Sequence, residues 1–396
     1  MRKIVLFSIF LIIGLIGSQT IPTLVSPESF AKLKAFLDAM LYICLAFIMI
    51  NVGREFELDK SKWKSYTADY FIAMATAAVP WLLICGYFIL LMPAGYRTDW
   101  NTWKETLLLS RFAAPTSAGI LFTMLAAAGL KKSWIYQKTK VLAIFDDLDT
   151  ILLMIPLQIL MIGMKWQLGV VVLFVFFCLY LGWTKLNKFR MHQHWTSILG
   201  YATMLVFFFQ GIYMVTKACF GHDAAIHIEI LLPAFILGMI MKTRESHSKS
   251  DERASSVISY LFMLLVGMSA PLFVGVDFSA TAGDCVIGKV GDMGWGQIAL
   301  HVLVCTALSN IGKLLPMFFY RDHSLTERLA LSIGMFTRGE VGAGIVFIAL
   351  GYGLGGPLLA ISLLTILTNL ILTGFFVLIV KRLALKAEKG STRSTE

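Results

Sequence analysis

The sequence predicts an all-α polytopic membrane protein of about twelve transmembrane helices, and three observations predict it. The first is composition. Of 396 residues, 58% are hydrophobic and 15% are charged, with a mean hydropathy of +0.77, whereas soluble domains have about 45–50% apolar and about 25% charged residues. The second is that apolar runs of about 20 residues, long enough to span a bilayer as helices, recur along the chain. The third is the placement of Lys and Arg between those runs, considered below. Strands are excluded because membrane strands alternate apolar and polar residues, which these runs do not.

Twelve segments are read, at about 4–24, 35–53, 67–92, 105–128, 138–163, 168–185, 196–218, 226–242, 257–279, 296–320, 327–351 and 357–384. The first, "MRKIVLFSIFLIIGLIGSQT", has the basic tip and apolar core of a secretory signal. No small-residue cleavage site follows at a suitable distance, so it is read as a retained helix. The fourth is the weakest, because Arg111, Pro115, Thr116 and Ser117 interrupt it. The domain reading is one transporter domain over 1–385 and a short polar tail over 386–396. No nucleotide-binding module or phosphate-binding loop is read in the chain.

Charges in the connections test the count. With a cytoplasmic N-terminus, the connections on that side hold 24 Lys and Arg and those on the other side hold 7. Basic residues favour the cytoplasmic side of short loops, and a miscounted early segment would scramble the alternation. Both termini are therefore expected in the cytoplasm. The net charge of +10 reflects this placement, and no nucleic-acid partner is implied. Cys44, Cys85, Cys178 and Cys305 lie in apolar runs without metal-ligand spacing and read as small buried hydrophobes. His192, His194, His222, His227 and His301 sit in loops or near segment ends and read as structural, not as pH sensors.

Three basic residues remain, Arg111, Lys313 and Arg338, inside membrane segments. Asp146, Asp147, Asp149 and Glu340 join them. A charge at mid-membrane costs roughly 2.5–3.5 kcal/mol on insertion scales, so these seven must face one another or a wet cavity. They fall in the fourth and fifth segments, then in the tenth and eleventh. In each group one helix is broken, by "SRFAAPTSAG" in the fourth and by "GMFTRGEVGAG" in the eleventh. Paired breaks in corresponding halves are the strongest sequence pointer to a transporter site, because unwound backbone is tolerated in a membrane only where it lines protein or water. The two broken segments are seven apart and run in opposite directions, as inverted repeats require; the repeats are placed at about 67–163 and 296–384.

These stretches together resemble the monovalent cation:proton antiporters, in particular the cation:proton antiporter-2 branch with its sodium and potassium exchangers. The resemblance rests on "LYICLAFIMINVGREFELDKSKW", "SRFAAPTSAGILFTMLAAAGLKKS", "VLAIFDDLDTILL", "LLPAFILGMIM", "SNIGKLLPMFF" and "LALSIGMFTRGEVGAGIVFIAL", in that order. It covers nearly the whole chain. It implies a sodium/proton antiporter-like fold with two broken crossing helices, in a bacterial inner membrane, as a homodimer. Asp149 and Arg111 depart from the pattern, and "PLFVGVDFSA" matches it only loosely.

The resemblance implies secondary antiport, exchanging protons for Na⁺, or alternatively K⁺, by alternating access, with no resident cofactor. Adjacent carboxylates suit such exchange, since they titrate as a pair and a cation and protons compete for them. By resemblance, Asp147 binds the Na⁺ or K⁺, and Asp146 pairs with Lys313, which yields its proton when the cation arrives. Thr116 and Ser117 are added as oxygen donors, which hard cations prefer. Arg338, Glu340, Asp149, Thr150 and Asn310 are assigned supporting or gating roles. The two arginine and glutamate residues are expected to compensate half-helix ends, with Glu340 near N-terminal ends and Arg338 near C-terminal ends. Two other readings carry less. A channel-like potassium efflux system usually has a regulatory nucleotide-binding domain. An intramembrane aspartyl protease needs one Asp on each of two helices and a Gly-x-Gly-Asp motif, whereas here the acids are consecutive on one helix. The chain therefore does not read as an enzyme.

Overall fold

The computed structural model describes residues 2–54, 63–163, 166–186, 188–220, 230–241, 249–269, 285–291 and 293–393. The loosely matching "PLFVGVDFSA", and with it His222 and His227, lies outside the described residues. Every one of the twelve apolar segments contains helix. The order is α1 (Arg2–Leu24), α2 (Pro27–Arg54), α3 (Trp63–Leu91), α4 (Trp100–Ser110), α5 (Ala118–Ala127), α6 (Trp134–Ile162), α7 (Trp166–Thr184), α8 (Trp195–Phe220), α9 (Leu231–Ile240), α10 (Lys249–Met268), α11 (Trp295–Gly312), α12 (Leu325–Gly334), α13 (Glu340–Gly351) and α14 (Pro357–Arg393). Seven of the helical stretches among the described residues are long and apolar enough to cross a membrane. Among those residues the only extended pairing is an isolated bridge between Phe189 and Met241.

The chain forms two compact units. One comprises Ile13–Ser61 and Ile162–Ser269. In it α2 packs against α8, α9 and α10. A Cβ at Gly53 would run into the carbonyl of Phe235, and one at Gly238 into the carbonyl of Ile50. Two glycines facing each other let the α2 and α9 backbones touch, which is how membrane helices associate when apolar burial supplies no driving force between them. Other faces stay uncovered: Leu173, Phe176 and Phe177 of α7 and Phe207 and Phe208 of α8 are all more than half exposed. Such faces suit hydrocarbon and not water.

The other unit comprises Met1–Ile12, Lys62–Met161 and Ala270–Glu396. Its centre is a set of helices packed on α3 and α14. Two helices here are interrupted. After α4 the chain makes one tight 3₁₀ turn over Arg111–Ala113 and resumes as α5 at Ala118. Pro115 helps explain the stop, since it has no N–H to donate to a helical hydrogen bond; Ala114 before it keeps helical angles (φ −75°, ψ −56°). Between α12 and α13 the break is "MFTRG", Met335 to Gly339. The fourth and eleventh segments of the sequence are thus the two broken helices. Two further charges that the sequence placed in connections, Lys138 and Lys140, lie within the first two turns of α6.

Candidate functional site

The two breaks meet. The backbone N–H of Ser117 donates to the Thr337 carbonyl at 3.1 Å, and the Thr116 hydroxyl donates to the Met335 carbonyl at 3.2 Å. Gly339 makes the approach possible: a Cβ there would sit 2.9 Å from Ser117 Oγ and 2.8 Å from Ile120 Cδ1. Broken helices leave unsatisfied N–H groups at the start of the second half and unsatisfied C=O groups at the end of the first. These are the groups on display at the crossing.

α6 delivers its acids to that point. Asp146 Oδ2 accepts from the Thr116 backbone N–H at 2.7 Å, just ahead of the N-terminus of α5. A carboxylate is stabilised there by the free N–H groups and the positive end of the helix dipole. Lys313, one residue past the end of α11, completes the arrangement. Its Nζ lies 3.0 Å from Asp146 Oδ2 and 3.2 Å from Oδ1, and it donates to Thr116 Oγ1 at 3.1 Å. Asp146 and Lys313 are wholly withdrawn from the surface, at 0% exposure. Thr150, one turn along α6, donates its hydroxyl to the Asp146 carbonyl at 2.9 Å.

Asp147 is buried too, but at 8% exposure it is the most open of the three acids, against 0% for Asp146 and 1% for Asp149. Consecutive helical residues point about 100° apart, so the pair divides: Asp146 is clamped by Lys313 and Thr116, and Asp147 faces elsewhere. Asp149 is buried at 1% exposure, and its backbone carbonyl accepts from Arg111 Nη2 at 3.0 Å. Arg338 lies at the second break and donates through Nη1 to the Met335 carbonyl at 3.1 Å, just past the C-terminus of α12. Glu340 opens α13, but its side chain lies outside the described residues. Asn310 reaches Asn369 of α14, its amide donating at 3.0 Å, and is not drawn to the carboxylates.

A second buried ionic cluster escaped the sequence reading. Asp69 of α3, 2% exposed, accepts from Lys138 of α6 at 2.9 Å and from the Tyr320 hydroxyl at 2.8 Å. Trp134 stacks on His323 close by, ring centroids 3.7 Å apart. Asp69 sits near the start of its apolar run and Lys138 had been counted with a loop, so neither registered as an intramembrane charge. A lone acid in "TADYFIAM" was the available signal. His301 shares a hydrogen bond with Tyr87 at 2.6 Å, and Cys44, Cys85, Cys178 and Cys305 are buried free thiols.

A family described as sodium/hydrogen exchanger, transmembrane, matches residues 2–382. The chain belongs to the transmembrane sodium/hydrogen exchanger family. No curated protein sequence matches it significantly. Among solved structures, the sodium proton antiporter MjNhaP1 from Methanocaldococcus jannaschii, determined at pH 8, is similar with a TM-score of 0.51 and 15% sequence identity, over 96% of this chain and 92% of that chain. At that identity the likeness is one of fold, and it extends over nearly the whole exchanger. As a sodium/hydrogen exchanger family member, the protein is a multi-pass membrane transporter and not an enzyme. Its substrates are a cation and protons, moved by antiport.

Proposed function

We propose that this exchanger moves Na⁺ against protons by alternating access, with Asp147 as the carboxylate that takes cation and proton in turn. The observation that carries the reading is the division of labour between adjacent acids. Asp146 is held by Lys313 and by the Thr116 N–H, and its neighbour Asp147 is the more accessible of the two. Carboxylate, hydroxyl and backbone carbonyl oxygens are the donors a hard monovalent cation prefers, and Thr116 and Ser117 bring such oxygens to the crossing.

Two adjacent carboxylates titrate as a pair. A cation arriving at Asp147 and protons compete for the same negative charge, so each displaces the other and exchange follows from competition. Lys313 couples the second acid to this. When a cation adds positive charge beside Asp146, the lysine is the mobile proton store nearest to it. Arg338 holds the end of α12 at the second break, and Asn310 braces α11 on α14. Alternating access then requires the crossing to face one side of the membrane and then the other, with the repeats over about 67–163 and 296–384 as the moving parts. The termini face the cytoplasm by the 24-to-7 bias of basic residues, and the setting is a bacterial inner membrane, with the protein as a homodimer.

The test is exchange in proteoliposomes of the purified protein, loaded with a pH dye and given Na⁺, Li⁺ and K⁺ in turn. Na⁺ is expected to give the largest internal pH change, and Asp147→Asn, still folded by size-exclusion profile, to give none. Full activity in Asp147→Asn removes the site assignment. A response to K⁺ alone replaces the ion.

A further inference from the structure

Pro80 and Trp81 lie side by side inside α3 and carry no charge. Both touch stretches of chain that end in the cation site, and all the elements concerned belong to one compact unit. Pro80 is buried and packs on Gly312, the last residue of α11. A Cβ at Gly312 would lie 2.7 Å from the Pro80 nitrogen and Cα and 2.9 Å from its Cβ. No rotamer change can move those atoms aside. Small residues are what let two membrane helices approach so closely. The residue after Gly312 is Lys313, whose Nζ meets Asp146 Oδ2 at 3.0 Å. Its backbone N–H is turned back onto the Ser309 and Asn310 carbonyls, so the lysine side chain leaves from a fixed point.

Trp81 turns to α4. Its indole N–H donates to the Leu107 carbonyl at 2.8 Å, which anchors the polar edge of the ring. The Arg111 guanidinium lies over that ring, with its carbon 4.6 Å from the centroid, inside the range of a cation–π contact. From there Arg111 Nη2 donates to the backbone carbonyl of Asp149 at 3.0 Å. Arg111 is wholly buried, and the ring and the carbonyl together define where it sits. Asp149 stands two residues after Asp147 and three after Asp146, less than a helical turn away. Two neighbouring residues of α3 thus lead by short routes to both halves of one ion pair: through Gly312 to Lys313, and through Arg111 to the turn of α6 that carries Asp146.

We propose that the Pro80–Trp81 step of α3 is a positioning element for the cation site. Pro80 sets Lys313 through Gly312, and Trp81 sets the acid-bearing turn of α6 through Arg111. Neither side chain offers an oxygen to a cation, so both act on the site through its neighbours. The inference rests on the exchange function proposed above.

The test is exchange in proteoliposomes, reading the Na⁺ concentration for half-maximal exchange separately from the maximal rate. Trp81→Leu is expected to raise the half-maximal concentration about tenfold, as the loss of a desolvated cation–π contact would, with a smaller change in maximal rate. Trp81→Phe keeps a ring beneath the guanidinium and is expected to stay within about threefold of the unsubstituted protein. Trp81→Leu/Arg111→Gln is expected to lie within about twofold of Arg111→Gln alone, because the ring acts through the arginine. Gly312→Ala is expected to raise the half-maximal concentration about tenfold, since the end of α11 must move off Pro80. Equal effects of Trp81→Leu and Trp81→Phe, or losses that multiply in the double variant, overturn the Trp81 route. A lower unfolding midpoint in Gly312→Ala with unchanged half-saturation overturns the Pro80 route and leaves that contact as packing. If Trp81→Leu does not accumulate in membranes, the larger Trp81→Met takes its place. If Gly312→Ala does not, Pro80→Gly loosens the same contact and takes its place; in both cases the same two outcomes apply. No exchange by the unsubstituted protein with any cation would instead defeat the functional reading, so the two failures are distinguishable.

Discussion

Lys313 Nζ lies 3.0 Å from Asp146 Oδ2, with both side chains wholly shielded. The two residues are 167 positions apart in the chain, and their contact joins the helix of acids to the end of α11. An ion pair this deeply buried is weak evidence for stability by itself, because removing two charges from water offsets much of their attraction. Breaking it is another matter, since the survivor is a buried, uncompensated charge.

Lys313→Met is therefore expected to destabilise the exchanger by about 3–5 kcal/mol. Asp146→Asn together with Lys313→Met should lose clearly less than the two single losses combined. Thermal unfolding of the detergent-purified variants measures this. An unchanged midpoint in Lys313→Met would show that Asp146 does not depend on the lysine.

Thr116 serves Asp146 with its backbone and Lys313 with its hydroxyl, so substitution separates the two roles. Thr116→Val keeps the N–H and removes the oxygen. The loss of a hydrogen bond to the lysine, of about 1.5–3 kcal/mol for a charged partner, should appear as roughly a tenfold or greater rise in the Na⁺ needed for half-maximal exchange. Thr116→Ser should stay near the starting value. Equal effects from Val and Ser would place the contribution in packing and not in the hydroxyl.

Gly339 lets the two breaks touch. Gly339→Ala places a methyl 2.9 Å from Ser117 Oγ, an overpacking expected to cost about 1–3 kcal/mol and to slow exchange. Ser117→Ala in the same chain should recover part of the loss by removing the clashing oxygen. A second substitution that makes matters worse would locate the strain at Ile120.

The Asp69 cluster gives a prediction outside the ion site. Tyr320→Phe removes a hydrogen bond to a buried carboxylate and should lower stability by about 1.5–3 kcal/mol. Lys138→Met should cost more, because it strips Asp69 of its counter-charge. Both are read from unfolding midpoints, and a larger effect from Tyr320→Phe would mean that the lysine is held mainly by solvent.

Much of this was readable before any contact was known. Segment boundaries in the sequence match the helices to within a few residues at most ends. The weakest segment, the fourth, proved to be a broken helix, as "SRFAAPTSAG" implied. Asp69 escaped for a definite reason: an acid at the third position of a run looks like the end of a loop when only hydropathy is counted. Lys138 escaped with it, since a basic residue just ahead of an apolar run is the ordinary pattern for the cytoplasmic side.

What the sequence alone determined was the class of environment. Charges and helix breakers embedded in long apolar runs are costly enough that they identify buried, functional positions without any partner being known. The family resemblance paired Asp146 with Lys313, and only the tertiary structure supplied the contact itself. Asp146 and Asp147 are equivalent in the string, and the difference between them is a 100° turn of helix that puts one against Lys313 and the Thr116 N–H. Arg111 and Asp149 likewise read as two unrelated irregularities until the fold brings the Arg111 guanidinium to the Asp149 backbone carbonyl. Transfer cost is a property of each residue and can be read in one dimension. Compensation depends on distances of about 3 Å between residues far apart in the chain, and folding alone sets those.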